Sequence, residues 1–247
     1  MNISVLQWNI WYKEDVRKIV EFLKENPADI ICLQELPINY ATSVVKDSPE
    51  YIARELGYNF FYKDLPIEDT DGLHRTLANG IFSKFPIKSS RFAWTKESTG
   101  KLGYDDESRA YVEVVLDING NDITVGTTHM SYTHDFAPNE SKKKETDMLL
   151  KELKQKSEAY IFAADLNALP GSYTIDSISN LMQNASPSLD QKTWTTKPFS
   201  YNGFEANSLG WRLDYIFTTK DIKLIESKIL HTEYSDHLPV FAYLEVN

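Results

Sequence analysis

The sequence predicts an α/β fold, a layered sandwich built on mixed β-sheets and forming one domain over residues 1–247. Three observations lead there. Short apolar runs rich in β-branched and aromatic residues recur along the whole chain. Clear helical periodicity interrupts them only twice, so strands do not alternate strictly with helices as in a parallel doubly wound sheet. No repeat, low-complexity tract or Pro/Gly/Ser linker divides the 247 residues, a length at which layered folds remain one unit.

The first apolar run, 3–8, reads as a strand. Residues 16–24 then place Val16, Ile19, Val20 and Leu23 at i, i+3, i+4 and i+7, the spacing of one apolar helix face, and Asn26-Pro27 ends that helix. Runs at 30–33, 58–62 and 78–82 follow as strands. Residues 64–73 and 92–108 are polar and weakly periodic, and they read as long loops of the kind that carry specificity. Strands are expected at 110–116 and 122–127. Asn119-Gly120 lies between them, a pair that tolerates positive φ and signals a type I′ hairpin, so these two should be antiparallel neighbours. A second helix over 140–154 opens at Pro138-Asn139, with Met148, Leu149 and Leu153 on one face. Runs at 160–164, 212–217 and 238–246 complete the strands.

Composition narrows the function. Acidic residues number 36 against 26 basic, a formal charge of −10, which excludes a protein that coats polyanions through a broad basic surface. What remains is local contact with phosphate, or carboxylates gathered where a cation neutralises them. The single cysteine, Cys32, sits in the apolar run Ile30-Ile31-Cys32-Leu33 and is expected in the core; it allows neither an intrachain disulfide nor a cysteine-based zinc site. The N-terminus has no basic start followed by an apolar stretch, and no run reaches the ~18 apolar residues of a membrane span. A cytoplasmic protein without membrane contact is expected, and a monomer. Lys142-Lys143-Lys144, the one compact basic run, reads as a solvated helix face rather than a nucleic-acid track.

Polar residues able to bind a cation or move a proton fall at the ends of the apolar strands, where core packing has no use for them. They are Asn9, Glu35, His129, Asp165 with Asn167, Asp214, and Asp236-His237. Singly, each has a structural alternative: Asn9 or Asp165 could cap a turn, Glu35 could open a helix, and His129 could be a hydrogen-bonded core histidine. Together they would be costly to bury without a neutralising partner, so their convergence on one cleft would call for a metal. The set suits phosphodiester hydrolysis. Mg²⁺ takes one or two carboxylates and completes its shell with water and phosphate. A carboxylate off the metal can activate water, while amide and imidazole donors stabilise phosphoryl oxygens. Zinc fits less well, because the histidines lack HExxH or HxH spacing.

The motifs Trp8-Asn9-Ile10, Leu33-Gln34-Glu35, Asn79-Gly80-Ile81-Phe82-Ser83, Ser108-Arg109-Ala110, Thr128-His129-Met130, Ala164-Asp165-Leu166-Asn167, Arg212-Leu213-Asp214-Tyr215-Ile216 and Ser235-Asp236-His237-Leu238-Pro239-Val240 occur in order over nearly the whole chain. In this series the sequence resembles the endonuclease/exonuclease/phosphatase superfamily, the DNase I-like metal-dependent phosphoesterases. The resemblance implies a four-layer α/β/β/α sandwich, two central mixed sheets flanked by helices, with the site at one end of the sheets. It implies Glu35 as principal Mg²⁺ (or Mn²⁺) ligand, Asn9 as the amide shaping the metal site, and Asp236 as a second metal-side carboxylate. It implies Asp165 as the carboxylate that orients or deprotonates water, and Asn167 and His129 as donors to the scissile phosphate. By the same resemblance His237 contacts phosphate or acts as acid/base, with Asp214 fixing its tautomer. Arg109 is open between a phosphate contact, a brace for the acidic cluster and a purely structural role. Many nuclease members carry an aspartate two residues after the asparagine, where this chain has Trp11. That tryptophan is either a stacking surface for a base or aromatic leaving group, or a core-packing residue.

Within the superfamily, Thr128-His129-Met130-Ser131 is similar to the DNase I, sphingomyelinase, deadenylase and tyrosyl-DNA phosphodiesterase branches. The segment from Asp165 to Ser172 resembles the deadenylase form, and Lys192-Thr193-Trp194-Thr195 the tyrosyl-DNA phosphodiesterase form. The expectation is a Mg²⁺- or Mn²⁺-dependent phosphodiesterase acting on nucleic acid at an end or single-stranded region. The alternatives are hydrolysis of a small-molecule, inositol-phosphate or lipid-headgroup ester, and an inactive binding scaffold.

Overall fold

The structure, a computed structural model, describes residues 1–40, 43–68, 74–100, 106–156 and 159–246. The N-terminal strand β1 (Asn2–Asn9) leads into helix α1 (Val16–Glu25), strand β2 (Ile30–Ile38), helix α2 (Ser48–Leu56) and the antiparallel pair β3 (Asn59–Glu68) and β4 (His74–Ser83). Next come β5 (Ile87–Lys96), β6 (Arg109–Ile118), β7 (Asn121–Thr128), helix α3 (Glu140–Leu153), β8 (Tyr160–Asp165), helix α4 (Tyr173–Ser179) and the short β9 (Gln183–Asn184). A small hairpin of β10 (Phe199–Tyr201) and β11 (Phe204–Ala206) precedes β12 (Asp214–Thr218), β13 (Ile222–Ile229) and β14 (Val240–Val246).

Among the described residues these strands form two six-stranded sheets, in the orders β13-β14-β1-β2-β4-β3 and β5-β6-β7-β8-β12-β9. Both are mixed: β1 runs parallel to β2, and β7 parallel to β8, while the other pairs are antiparallel. Ile3, Val5, Ile30, Cys32, Val112, Val114, Ile161, Ala163 and Ala242 fill the layer between the sheets. The other face of the first sheet packs Leu6, Trp8, Ile31 and Leu33 against Val16, Ile19 and Leu23 of α1 and Ile52 of α2. The second sheet packs Tyr111, Tyr160, Phe162 and Tyr215 against Leu149 and Leu153 of α3 and Ile175 and Ile178 of α4. The four-layer α/β/β/α sandwich follows from this two-faced alternation, because the central strands are apolar on both sides along most of their length.

The expected hairpin forms, with Asn119 at φ 55 and Gly120 at φ 87 between β6 and β7. Cys32 is buried, and α1 carries its four periodic residues inward. Three expectations need correction. Residues 64–68 and 92–96, read as loop, belong to β3 and β5, each at an edge of its sheet; an edge strand tolerates charged residues and proline, such as Asp64 and Pro66, that otherwise read as loop. The remainder of those two segments lies partly outside the described residues. On α3, Met148 is 41% exposed and Leu150 is buried in its place. Among the described residues, no helix is long and apolar enough to cross a membrane.

Candidate active site

The layer between the sheets turns polar at one end, and period-two alternation dictates which residues line it. Continuing the inward phase along β1 gives Ile3, Val5, Gln7 and Asn9, and along β2 Ile30, Cys32 and Gln34. On β8 the same phase gives Ile161, Ala163 and Asp165, and on β12 Ile216 and Asp214, with Asp214 opposite Asp165 in the ladder. A reciprocal amide pair forms the floor: Gln7 Nε2 donates to Gln34 Oε1 at 2.6 Å and Gln34 Nε2 to Gln7 Oε1 at 3.0 Å. The same amides reach the other sheet, Gln34 to Thr127 Oγ1 at 2.9 Å and Gln7 to Asp214 Oδ1 at 3.3 Å.

Glu35 arrives by a different device. Between the pairs Leu33–Gly80 and Leu36–Ala78, two residues of β2 stand against one of β4, a bulge in which Glu35 takes φ 59. The extra residue breaks the alternation and aims the Glu35 carboxylate into the cleft. Asn167 is also left-handed, at φ 43, in the turn after β8, where its N–H donates to Asp165 Oδ1 at 3.0 Å. Non-glycine residues held in this region are the strained positions that cluster at working sites.

Eight of the ten singled-out side chains link into one network. Asn9 Nδ2 donates to Glu35 Oε1 and to Asp165 Oδ2, both at 3.0 Å. His237 Nδ1 lies 2.9 Å from Asp214 Oδ2, and its Nε2 lies 3.7 Å from Asp165 Oδ2. His129 Nε2 stands 3.1 Å from Asn167 Nδ2, 3.4 Å from Asp165 Oδ2 and 4.0 Å from Glu35 Oε1. Arg109, buried, donates to Glu107 Oε2 at 2.6 Å and brings Nη1 to 3.5 Å from His129 Nδ1. Two residues stand slightly apart. Asp236 accepts from Trp194 Nε1 at 3.1 Å, within electrostatic reach of Glu35. Trp11 is half-buried, belongs to none of the core clusters, and donates its backbone N–H to Asn9 Oδ1 at 3.1 Å. Trp11 thus lies outside the buried core.

The two histidines are held in opposite states. Burial and the neighbouring Arg109 charge keep the His129 pKa well below its ordinary value, so the ring is neutral, one nitrogen accepting and the other carrying a proton it can donate. Burial also disfavours charge on His237, but Asp214, Asp165 and Asp236 outweigh it and lift its pKa well above the usual range. Burial pushes Asp165 up to about 6 against the pull of the His237 charge. Burial and Asp236 push Glu35 up to about 7.

The donor set fits a hard divalent cation. Asp165, Asp214 and His237 bring ligand atoms within 4.8 Å of one another, and the His237 proton offsets one of the two carboxylate charges there. Glu35 faces Asp236 and a neutral His129 and is offset only by the His237 charge, so Glu35 with Asp236 could offer a cation partly compensated oxygen donors. Asn9 orients Glu35 through its NH₂ while its carbonyl oxygen is engaged by Trp11 N–H.

Several supporting residues escaped the strand-end reading. Gln7, Thr127 and Thr193 sit on the floor; Thr193 Oγ1 accepts Leu213 N–H at 3.1 Å and Asp214 N–H at 3.3 Å. Ser235 Oγ donates to Asn9 O at 2.7 Å and accepts His237 N–H at 3.0 Å. Lys142, expected on a solvated face, is buried, because its ammonium reaches two backbone carbonyls at this end of the sheets. For Gln7 and Gln34 the signal was available: polar residues on the inward phase of otherwise apolar strands.

Comparison with known proteins agrees with the fold and the motif order. The sequence model of the Endonuclease/Exonuclease/phosphatase family matches residues 6–237. No curated protein matches by sequence. Among solved structures, an endonuclease/exonuclease/phosphatase from Beutenbergia cavernae superposes with a TM-score of 0.78 at 19% identity, over 100% of this chain and 72% of that one. D. rerio TDP2 complexed with single-strand DNA product gives 0.70 at 16%, over 99% of each chain. A mannosyl-6-phosphatase from Bacteroides thetaiotaomicron gives 0.65 at 14%, over 98% and 99%.

Proposed function

Because this chain belongs to the endonuclease/exonuclease/phosphatase family of phosphoester hydrolases, we propose that it cleaves phosphodiester bonds of nucleic acid, at an end or in a single-stranded region, with Mg²⁺ or Mn²⁺. The observation that carries this reading is the joining of Glu35, Asn9, Asp165, Asn167, His129, His237 and Asp214 in one buried hydrogen-bonded cleft. Asp165, pushed to about 6, is ionised at neutral pH yet basic enough to take a proton from an attacking water. Asn167 and neutral His129 offer donors to phosphoryl oxygens, and His237, charged and held by Asp214, offers a proton to the phosphate or the leaving oxygen. A divalent cation on Glu35 and Asp236 would supply Lewis-acid polarisation of the phosphoryl group.

Aromatic surfaces beside the cleft support a base-bearing substrate. Trp11 and Tyr12 adjoin Asn9 and Glu35, and Tyr12 N–H donates to Glu35 Oε2 at 3.3 Å. On the other flank, half-buried Phe199, Trp211 and Tyr132 pack around buried Trp194, which lies 6.3 Å from the His237 ring. Bases stack on such rings without regard to sequence, at about 1–3 kcal/mol each. A second reading, a small phosphate ester, is favoured by the charge of −10 and by burial of Lys142, which breaks up the only compact basic run. The deciding experiment presents end-labelled single- and double-stranded DNA and RNA, inositol phosphates and sugar phosphates to the protein with Mg²⁺ or Mn²⁺. Cleavage of single strands that disappears in Asp165→Asn supports the nucleic-acid reading. Turnover confined to the small esters assigns the second, and no turnover by folded, metal-supplied protein overturns both.

A further inference from the structure

Two of the site residues, His129 and Asn167, lie just past the ends of their strands, β7 and β8. Ladder pairing of β7 with β8 ends at Gly126–Phe162, followed by a single bridge between His129 and Asp165. Beyond it the two segments leave the sheet, and their backbone groups need partners from elsewhere. One comes from within: Asn167 Nδ2 donates to Met130 O at 3.0 Å. The other comes from α3. Its cap, Asn139, accepts Lys142 N–H at 2.8 Å and so fixes the start of the helix. From there the Lys142 ammonium donates to Ser131 O at 2.7 Å and Leu166 O at 2.6 Å. Ser131 stands two residues after His129, and Leu166 stands between Asp165 and Asn167. One turn along α3, Glu145 accepts the Ser131 N–H at 3.0 Å, so the helix holds Ser131 by both its backbone groups. Lys143 and Lys144 are exposed, whereas Lys142 is only 6% exposed.

We propose that Lys142 is a positioning residue for the reaction, its ammonium cross-linking the two site loops so that His129 and Asn167 keep their placement against Asp165. A lysine suits this task because a compact ammonium carries three rotatable donors and can serve carbonyls on separate segments, which a planar guanidinium fork does less readily. An apolar side chain of equal length would preserve packing but leave two buried carbonyls without partners, at about 1–3 kcal/mol each. The loops would then shift to recover hydrogen bonds. Displacement of a reacting group by ~1 Å can reduce turnover about 10²-fold.

The test compares Lys142→Met with Lys143→Met, which alters the neighbouring exposed lysine. Amide and imidazole NMR signals of Ser131, Leu166, Asn167 and His129 should move in Lys142→Met and stay in place in Lys143→Met, and exchange of the Met130 N–H, which donates to Asp165 O, should accelerate. With a turned-over substrate, kcat should fall about 10²-fold with KM little changed, a split that loss of stability alone does not produce. Unmoved signals in folded Lys142→Met, or moved signals with unchanged kcat, overturn the proposal. Lys142→Gln, whose amide nitrogen falls one bond short of the lysine ammonium and cannot hold both carbonyls at the present distances, covers failure of the first variant to fold, and a glutamine variant indistinguishable from wild type also overturns it. The kinetic arm rests on the phosphoester reading, whereas the NMR arm needs no substrate. An inactive wild type therefore counts against that reading and leaves the role of Lys142 to the NMR result.

Discussion

In metal-free protein, Glu35→Gln should stabilise the fold above neutral pH while removing its response to a divalent cation. Burial and Asp236 raise the Glu35 carboxyl from 4.5 to about 7. The folded state therefore binds the proton more tightly than the unfolded chain does. The stability this contributes is fully present below about 4.5 and is lost as pH rises through about 7. At about 1.4 kcal/mol per pH unit, the loss amounts to about 3 kcal/mol. Glutamine is neutral throughout and escapes it. Its carbonyl oxygen can keep the bond from Asn9 Nδ2, now 3.0 Å, but its NH₂ then meets Tyr12 N–H, which donates to Glu35 Oε2 at 3.3 Å. Losing that long bond costs about 1 kcal/mol. The net gain at alkaline pH is about 2 kcal/mol, or about 4–8 °C in Tm for a domain of this size. Thermal denaturation in EDTA across the acidic to alkaline range measures it. Wild type should gain stability when Mg²⁺ replaces EDTA and the variant should not, since only a ligand bound by the native state raises Tm. A variant less stable than wild type at every pH, or one that Mg²⁺ stabilises equally, would refute the assignment of only partly compensated charge to Glu35.

Other expectations concern the remaining parts of the cleft and its frame. Asp214→Asn removes the carboxylate 2.9 Å from His237 Nδ1, so the His237 pKa should fall, visible by NMR titration, and kcat should drop by about 10²-fold or more. Trp11→Ala should raise KM for single-stranded oligonucleotides by about tenfold, at the lower end of one stacked base, and leave a small phosphodiester unaffected. In Gly126→Ala the added Cβ would stand 2.7 Å from Tyr111 Oη and closer still to Tyr160 Oη. Urea unfolding should report a loss of about 1–3 kcal/mol, partly restored by Tyr160→Phe.

The sandwich was legible because its central strands are apolar on both faces, and burial of that kind shows as composition. The ordered motifs likewise located the cleft residues, since Asp165, Asp214 and Asn9 simply continue the inward phase of their strands into a polar end. Edge strand β5 and the second half of β3 were not legible in the sequence, and only pairing with β6 and β4 reveals them. Lys142 was misread for a related reason. Three consecutive lysines on a helix look alike in sequence, and the backbone carbonyls that draw one of them inward belong to segments 11 and 24 residues away.

Local pattern and residue chemistry alone pointed to the layers, the hairpin at Asn119-Gly120, the buried cysteine and the polar residues that meet in the cleft. Only the tertiary structure decided how those residues behave. The bulge at Glu35 turns a strand residue into the cleft, and opposed surroundings hold His129 neutral and His237 charged. Two histidines identical in sequence differ there because protonation is settled by the charges and donors packed around a ring, which come from strands and loops far apart in the chain.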